Sequence, residues 1–272
     1  MHPGSGPSDR DNDVYFPPIR EHLLEAGYAV CSFDKRGVGG STGRWEDAGI
    51  VDQADDAIAQ LGALLEGGSA PPPIGLFGHS QGGWVVLEAA SREPRAAFVV
   101  SSSGPGVSPA EQERYSTRAR LAAAGAAEDE IADAVRTFDA VLALLRSGVG
   151  YSEGSDRLSR IPGRDRFSFL VADEATWRFS EAIVDYDPRS ALALIAVPIL
   201  GLFGEADTVI PVVESVEAFR AHARPELLTV RLFPGADHRL QAGDPPRLVE
   251  DALRELVAFL DRARSTGRPG SA

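Results

Sequence analysis

The sequence is poor in cysteine and in positive charge. Its 272 residues include one cysteine, Cys31, so no disulfide can form within the chain. Cysteine in an apolar run such as "YAVCSF" is typical of a small buried side chain, and the low count favours a reducing, cytoplasmic location. Lysine and arginine number 27 against 40 aspartates and glutamates, giving a net charge of −13. Because phosphate groups would repel this charge, nucleic acid is not expected as a partner.

Long apolar runs are also missing. No stretch reaches the ~18 apolar residues that a membrane-spanning helix needs. The opening "MHPGSGPSDRDND" lacks the basic start and apolar stretch of a signal peptide. The histidines are scattered, and no glycine-rich phosphate loop follows the first predicted strand. We therefore expect no metal site and no cofactor.

Short apolar runs alternate with helical patterns along most of the chain. This alternation predicts an α/β fold in which helices cover both faces of a mostly parallel sheet. The predicted strands are 28–33, 73–78, 96–101, 198–204 and 227–233. The predicted helices lie near 15–26, 50–66, 81–92, 211–223 and 245–264.

The stretch from about 107 to 190 interrupts the alternation with helical patterns alone. Ser108, Pro109 and Glu111 predict the start of a helix, as N-cap, first helical residue and capping box, and Gly125 predicts its end. Two more helical patterns follow. We predict a helical cap at 107–190, inserted between core segments 1–106 and 191–265, and a disordered tail at 266–272.

The segment "GHSQG" at 78–82 places one serine between glycines, where a predicted strand meets a predicted helix. In this context the pattern G-x-S-x-G indicates a nucleophile, because a sharp turn exposes the hydroxyl of Ser80. Gly78 and Gly82 flank the serine where any side chain would collide with the neighbouring chain. The alternative interpretation is a glycine-rich turn with an incidental serine.

A serine nucleophile needs a base to take its proton, and the chain has five histidines. His238, in "LFPGADHRL", follows a predicted strand at the edge where open α/β sheets bind ligands. The remaining histidines are predicted to be packing, surface or loop residues: His79, His22, His222 and His2.

An acid that orients this histidine should follow the preceding strand. Asp207, in "GLFGEADTVIP", has that position, and Glu205 is the weaker alternative. Asp185 and Asp187 precede the strand and are predicted to cap or turn the chain. The resulting chain order is nucleophile, acid, histidine.

These motifs resemble the α/β-hydrolase superfamily over nearly the whole chain. The matching segments are "GHSQGG", "GEADTVIP", "GADH" and "FDKRGVGGSTG". The resemblance implies the α/β-hydrolase fold, a cap over the site, and a catalytic triad of Ser80, Asp207 and His238. It also implies that Asp34 and Arg36 are structural, because this segment commonly braces the oxyanion loop in the family.

The opening "HPGSGP" resembles the oxyanion loop of esterase-like members, which supplies one backbone N–H. Alignment on "GSGP" assigns that N–H to Ser5, but Gly4 remains open because "HP" replaces the commoner "HG". The second expected donor is the N–H of Gln81. In the family a buried strand, with two more before it, precedes this loop. The sequence starts at Met1 without them, and we expect further N-terminal residues in the native protein.

The expected function is a serine hydrolase that cleaves carboxylic esters or thioesters of small molecules through an acyl-enzyme. Acyl transfer and aminopeptidase action remain open, because both would use the same triad. Dehalogenation is disfavoured, since that branch of the superfamily has an aspartate at the nucleophile position. The alternative from another class is a non-catalytic protein that uses the same fold to bind a ligand.

Overall fold

A computed structural model describes residues 1–68 and 73–266. Its main sheet has four strands, all parallel, in the order β1-β2-β3-β4. These strands are β1 (Leu76–His79), β2 (Val99–Ser102), β3 (Ile199–Gly204) and β4 (Leu228–Phe233). A short antiparallel hairpin, β5 (Gln241–Ala242) and β6 (Arg247–Leu248), follows the main sheet.

Ten α-helices occur in the described ranges. They are α1 (Phe16–Glu25), α2 (Ile50–Glu66), α3 (Gln81–Arg92), α4 (Pro109–Ala123), α5 (Glu128–Arg146), α6 (Tyr151–Leu158), α7 (Glu174–Ile183), α8 (Pro188–Leu194), α9 (Val212–His222) and α10 (Glu250–Thr266). Two 3₁₀ turns, Trp45–Asp47 and Arg164–Leu170, lie between them. Within these ranges we find no helix that is long and apolar enough to cross a bilayer.

Helices cover both faces of the sheet because the strands are apolar on both faces. Successive strand side chains point in opposite directions, so Leu76 packs on one face and Phe77 on the other. The first face is covered by α2, α3, α8 and α9, and the second by α1 and α10. The predicted α/β class, parallel sheet and two-sided helix cover are confirmed.

The predicted strand at 28–33 is wrong. None of these residues is in a strand, although the other four predicted strands form within a few residues of their expected bounds. A cavity of about 450 Å³ separates the segment from β1, lined by apolar residues such as Val30, Ile74 and Phe77. On the side of β1, the amino group of Met1 donates to the Cys31 carbonyl at 2.6 Å. Without a neighbouring strand at hydrogen-bonding distance, an apolar segment cannot enter a ladder.

The stretch predicted as a cap is helical, and α4 to α7 surround their own apolar cluster, which includes Phe138, Phe167 and Trp177. Helix α4 begins with the predicted capping box, because Ser108 and Glu111 exchange hydrogen bonds. Helix α8 packs with the core against α3 and α9 instead. The domain bounds 1–106, 107–190 and 191–265 stay a prediction. The predicted tail, 266–272, lies outside the described residues except for residue 266, where α10 ends.

Candidate active site

Ser80 lies at the sharp turn between β1 and α3. Its backbone has φ +54° and ψ −122°, a region that non-glycine residues rarely adopt and that stores strain. The flanking glycines permit this turn: a Cβ at Gly78 would collide with the backbone of Gly82, and one at Gly82 with the carbonyl oxygen of His2. The turn leaves the Ser80 side chain partly exposed at the carboxyl edge of the sheet.

Three loops meet at this edge, because each follows the carboxyl end of a parallel strand. They carry Ser80 after β1, Asp207 after β3 and His238 after β4. His238 Nε2 lies 2.9 Å from Ser80 Oγ, and His238 Nδ1 lies 2.7 Å from Asp207 Oδ2. The three residues predicted from sequence are therefore joined by one chain of hydrogen bonds.

Asp207 is held firmly in this chain. Its side chain is fully buried, and its Oδ1 accepts N–H bonds from Val209 at 2.7 Å and Ile210 at 3.1 Å. Glu205, the alternative acid, is exposed. The structure places the other two candidate acids elsewhere: Asp185 pairs with Arg146, and Asp187 caps α8. Among the candidate acids, only Asp207 contacts His238 in the described residues.

The predicted oxyanion loop lies beside this chain. His2 pairs with Gly78 on the free edge of β1. The N–H of Gly4 donates to Asn12 Oδ1 at 2.9 Å, so Gly4 has no N–H free for a ligand. Across the described residues, no hydrogen bond from the N–H of Ser5 or of Gln81 is observed. The geometry thus favours Ser5 over Gly4 as a donor.

His79, which the sequence predicts to be a packing residue, belongs to a buried polar network next to Ser80. Its Nδ1 accepts from Asn12 Nδ2 at 2.8 Å, and its Nε2 donates to the His238 carbonyl at 3.2 Å. Burial lowers the pKa of His79 to about 3, so the ring is neutral and can both accept and donate. The network connects the predicted oxyanion loop to the loop of His238.

Sequence reasoning also missed Tyr115 of α4. Its hydroxyl donates to the Asp207 carbonyl at 2.9 Å, and this bond joins the predicted cap to the loop that carries Asp207. No local motif marks either Asn12 or Tyr115. The one available signal is that a polar residue, Asn12, closely follows the predicted oxyanion loop.

Asp34 and Arg36, which the resemblance implies to be structural, each form an ion pair. Asp34 accepts N–H bonds from Arg10 at 2.9 Å and Gly40 at 3.0 Å, and it also pairs with the Arg10 guanidinium. These bonds hold the pKa of the Asp34 carboxyl well below its usual range. Arg36 pairs with Asp56 of α2. In the described ranges we find no cluster of histidine, cysteine, aspartate and glutamate that could hold a metal ion.

Comparison with known proteins gives this site its context. The family described as "Alpha/beta hydrolase family" matches residues 1–252. The chain belongs to the alpha/beta hydrolase family. Over 90 residues it is 40% identical to a protein named carbamate hydrolase RutD, from Variovorax paradoxus. That match covers 32% of this alpha/beta hydrolase and 32% of the relative, well under two thirds of the relative's length.

Solved structures resemble this alpha/beta hydrolase over most of its length. An esterase of Pyrococcus furiosus is 20% identical with a TM-score of 0.60, and the match covers 96% of this chain and 80% of that one. A monoacylglycerol lipase of Paleococcus ferrophilus is 19% identical with a TM-score of 0.56, covering 96% and 93%. A proline iminopeptidase of Mycobacterium smegmatis is 21% identical with a TM-score of 0.57, covering 98% and 90%. At these identities the likeness shows the fold.

Proposed function

We propose that this alpha/beta hydrolase is a serine hydrolase that cleaves carboxylic esters or thioesters through an acyl-enzyme. The observation that carries the proposal is the unbroken hydrogen-bond chain from Ser80 Oγ through His238 to the buried Asp207 carboxylate. A nucleophile, a base and an orienting acid in hydrogen-bond contact are the arrangement that activates a serine hydroxyl.

In the proposed reaction His238 Nε2 takes the Ser80 proton as Oγ attacks the acyl carbon. Asp207 stabilises the imidazolium that forms, and the N–H groups of Ser5 and Gln81 donate to the carbonyl oxygen as it becomes negative. The imidazolium then protonates the departing alcohol or thiol. Water, activated by the same imidazole, attacks the acyl-enzyme and releases the carboxylic acid and Ser80.

The wider setting is part of the same proposal. The substrate is a small acyl compound that enters under the helical cap at 107–190. The net charge of −13 disfavours nucleic acid as a partner, and the single cysteine favours a cytoplasmic protein. The reaction needs no cofactor, because the Ser80–His238–Asp207 chain supplies nucleophile and proton transfer.

A fluorophosphonate probe tests the proposal, because it reacts covalently with an activated serine. The wild-type protein should be labelled at Ser80, and Ser80→Ala should not be labelled. The control is Ser91→Ala, since Ser91 lies near the end of α3 and donates to the Glu88 carbonyl, away from the site. A folded wild-type protein that resists the probe would contradict the proposal and favour a ligand-binding protein.

A substrate panel then separates hydrolysis of esters from the alternatives on the same triad. We suggest p-nitrophenyl esters of rising chain length, a thioester, a carbamate and a prolyl amide. The carbamate and the prolyl amide are included because named relatives carry those activities in their names. The proposal predicts the highest kcat/KM with an ester or a thioester.

A further inference from the structure

Lys35, the only lysine of the chain, lies under the predicted oxyanion loop and is 8% exposed. Its Nζ donates to the Gly4 carbonyl at 2.5 Å and to Gln81 Oε1 at 2.9 Å. No carboxylate in the described part of the chain lies within ion-pair distance of this amine. Burial lowers its pKa to about 7. Whether neutral or charged, the amine keeps the two N–H groups that these contacts need.

The contact between Lys35 and the Gly4 carbonyl also fixes the direction of the Ser5 N–H group. The Gly4 carbonyl and the Ser5 N–H belong to one trans peptide unit, so both bonds lie in its plane and point in opposite directions. A donor held on the carbonyl oxygen therefore sets the direction of the Ser5 N–H. It also polarises the peptide unit, which makes that N–H a stronger donor.

The preceding peptide unit is fixed separately. Asn12 accepts the Gly4 N–H, and Asn12 is itself held by His79. The loop is thus restrained on both sides of Gly4, by Asn12 at its N–H and by Lys35 at its carbonyl. The N–H of Ser5 is the next donor along the chain.

Lys35 also contacts Gln81, the residue whose backbone N–H is the second expected oxyanion donor. Gln81 is the first residue of α3 and is 3% exposed. Its side chain accepts from Lys35, while its backbone N–H faces no protein acceptor in the described ranges. One buried amine therefore contacts the side chain of Gln81 and the carbonyl of the peptide unit that carries the Ser5 N–H.

We propose that Lys35 is a positioning residue that fixes the Ser5 and Gln81 N–H groups as an oxyanion hole. The inference rests on the proposed function. In this role Lys35 does not touch the substrate. Replacing Lys35 should therefore weaken binding of the transition state more than binding of the substrate.

The test compares Lys35→Met, which keeps the apolar stem, with the wild-type protein and with Arg220→Met. Arg220→Met removes a cation from the exposed surface of α9, far along the chain from the loop. For each protein kcat and KM are measured with p-nitrophenyl butyrate, together with the Ki of a trifluoromethyl ketone. That inhibitor forms a tetrahedral adduct with the serine and places its oxyanion in the hole.

Losing one oxyanion donor outright lowers kcat about 10²–10³-fold. Misplacing donors should cost less, so we expect kcat of Lys35→Met to fall about 10–100-fold. KM should change less than about threefold, and Ki should rise by a factor close to the loss in kcat. Arg220→Met should match the wild type in all three quantities.

The outcomes separate this inference from the proposed function. If the wild-type protein is not labelled by the fluorophosphonate, the proposed function fails, and this inference with it. If the wild type is labelled and a folded Lys35→Met keeps wild-type kcat and Ki, only the role of Lys35 fails. A rise in the KM of Lys35→Met with unchanged kcat and Ki would also overturn the role of Lys35.

Lys35→Arg covers the case in which Lys35→Met does not fold. Arginine keeps a buried donor for the Gly4 carbonyl, but its planar guanidinium cannot reproduce the two contacts of an amine. We expect a folded protein with lowered kcat, raised Ki and nearly unchanged KM. Wild-type kcat and Ki in a folded Lys35→Arg would overturn the proposal.

Discussion

At the scale of single residues, the site contrasts one exposed group with several buried ones. Ser80 is partly exposed at its strained turn, whereas Asp207 is 2% and His79 5% exposed. Burial keeps competing water away from Asp207 and His79, so their hydrogen bonds restrain the loops more strongly than exposed ones would. Replacing one of these buried polar residues should therefore change function or stability more than replacing an exposed residue nearby.

Asp207→Asn tests the acid. The asparagine can keep the two backbone N–H bonds, but it cannot stabilise an imidazolium and favours the wrong tautomer of His238. We expect kcat to fall about 10³–10⁴-fold with little change in KM, measured as steady-state ester hydrolysis. Glu205→Gln is the matched variant in the same loop and should stay within about twofold of wild type. The reverse pattern would make Glu205 the acid.

His79 should make the protein sensitive to acid. Burial lowers its folded-state pKa to about 3 from a usual value near 6.5, so below pH 6.5 the unfolded chain takes up a proton that the folded one refuses. Stability is fully present above pH 6.5 and is lost as the pH falls towards 3, by about 1.4 kcal/mol per pH unit.

The measurement is urea unfolding of the wild type and of His79→Gln at several pH values between 7 and 4. The variant lacks this titration, so its free energy of unfolding should fall less steeply with pH. His222→Gln, in which an exposed histidine is replaced, should keep the wild-type slope. Equal slopes for wild type and His79→Gln would contradict the assignment of a neutral buried ring.

At the scale of elements, helix α4 connects the predicted cap to the core, because it contacts the loop that carries Asp207. The capping box of Ser108 and Glu111 satisfies N–H groups that a helix start leaves unpaired. One turn later, Tyr115 donates its hydroxyl to the Asp207 carbonyl. The position of α4 is therefore coupled to the loop that orients His238.

Tyr115→Phe tests this coupling. Loss of the hydroxyl removes one hydrogen bond and should lower the free energy of unfolding by about 0.5–1.5 kcal/mol, measured by urea unfolding. We also expect a fall of a few-fold in kcat, because the Asp207 loop becomes less restrained. Tyr151→Phe is the control, since no hydrogen bond from its hydroxyl is observed in the described part of the chain. Equal kcat and stability in both variants would show that the contact has no role.

At the scale of the whole molecule, the sheet is unevenly supported. Strands β1, β2 and β3 are buried between helices on both faces, whereas the segment 28–33 faces a cavity of about 450 Å³. Loss of buried contacts and of ladder bonds makes local opening easier.

Hydrogen exchange tests whether the segment 28–33 opens more easily than the paired strands. The amides of 29–33 donate no backbone hydrogen bond in the described structure, so they should exchange orders of magnitude faster than those of 199–204 in β3. Exchange followed by mass spectrometry of peptides from both segments makes the comparison within one sample. Equal protection of the two segments would mean that 28–33 is paired after all.

The sequence by itself determined most elements of the core and the chain order of Ser80, Asp207 and His238. Apolar runs predict β1 to β4, and the strand–GHSQG–helix pattern predicts the turn at Ser80, because both depend on neighbours in the chain. Parallel strands also bring their following loops to one edge, which is why Asp207 and His238 could be paired with Ser80 before the structure was known.

Only the tertiary structure decided what depends on distant partners. The apolar run 28–33 is not a strand, because strand formation requires a neighbour at hydrogen-bonding distance and the described residues place none along it. The contacts of Asn12, Lys35 and Tyr115 join segments far apart in the sequence. Local periodicity contains no information about such contacts, since they are set by how loops pack once the sheet has formed.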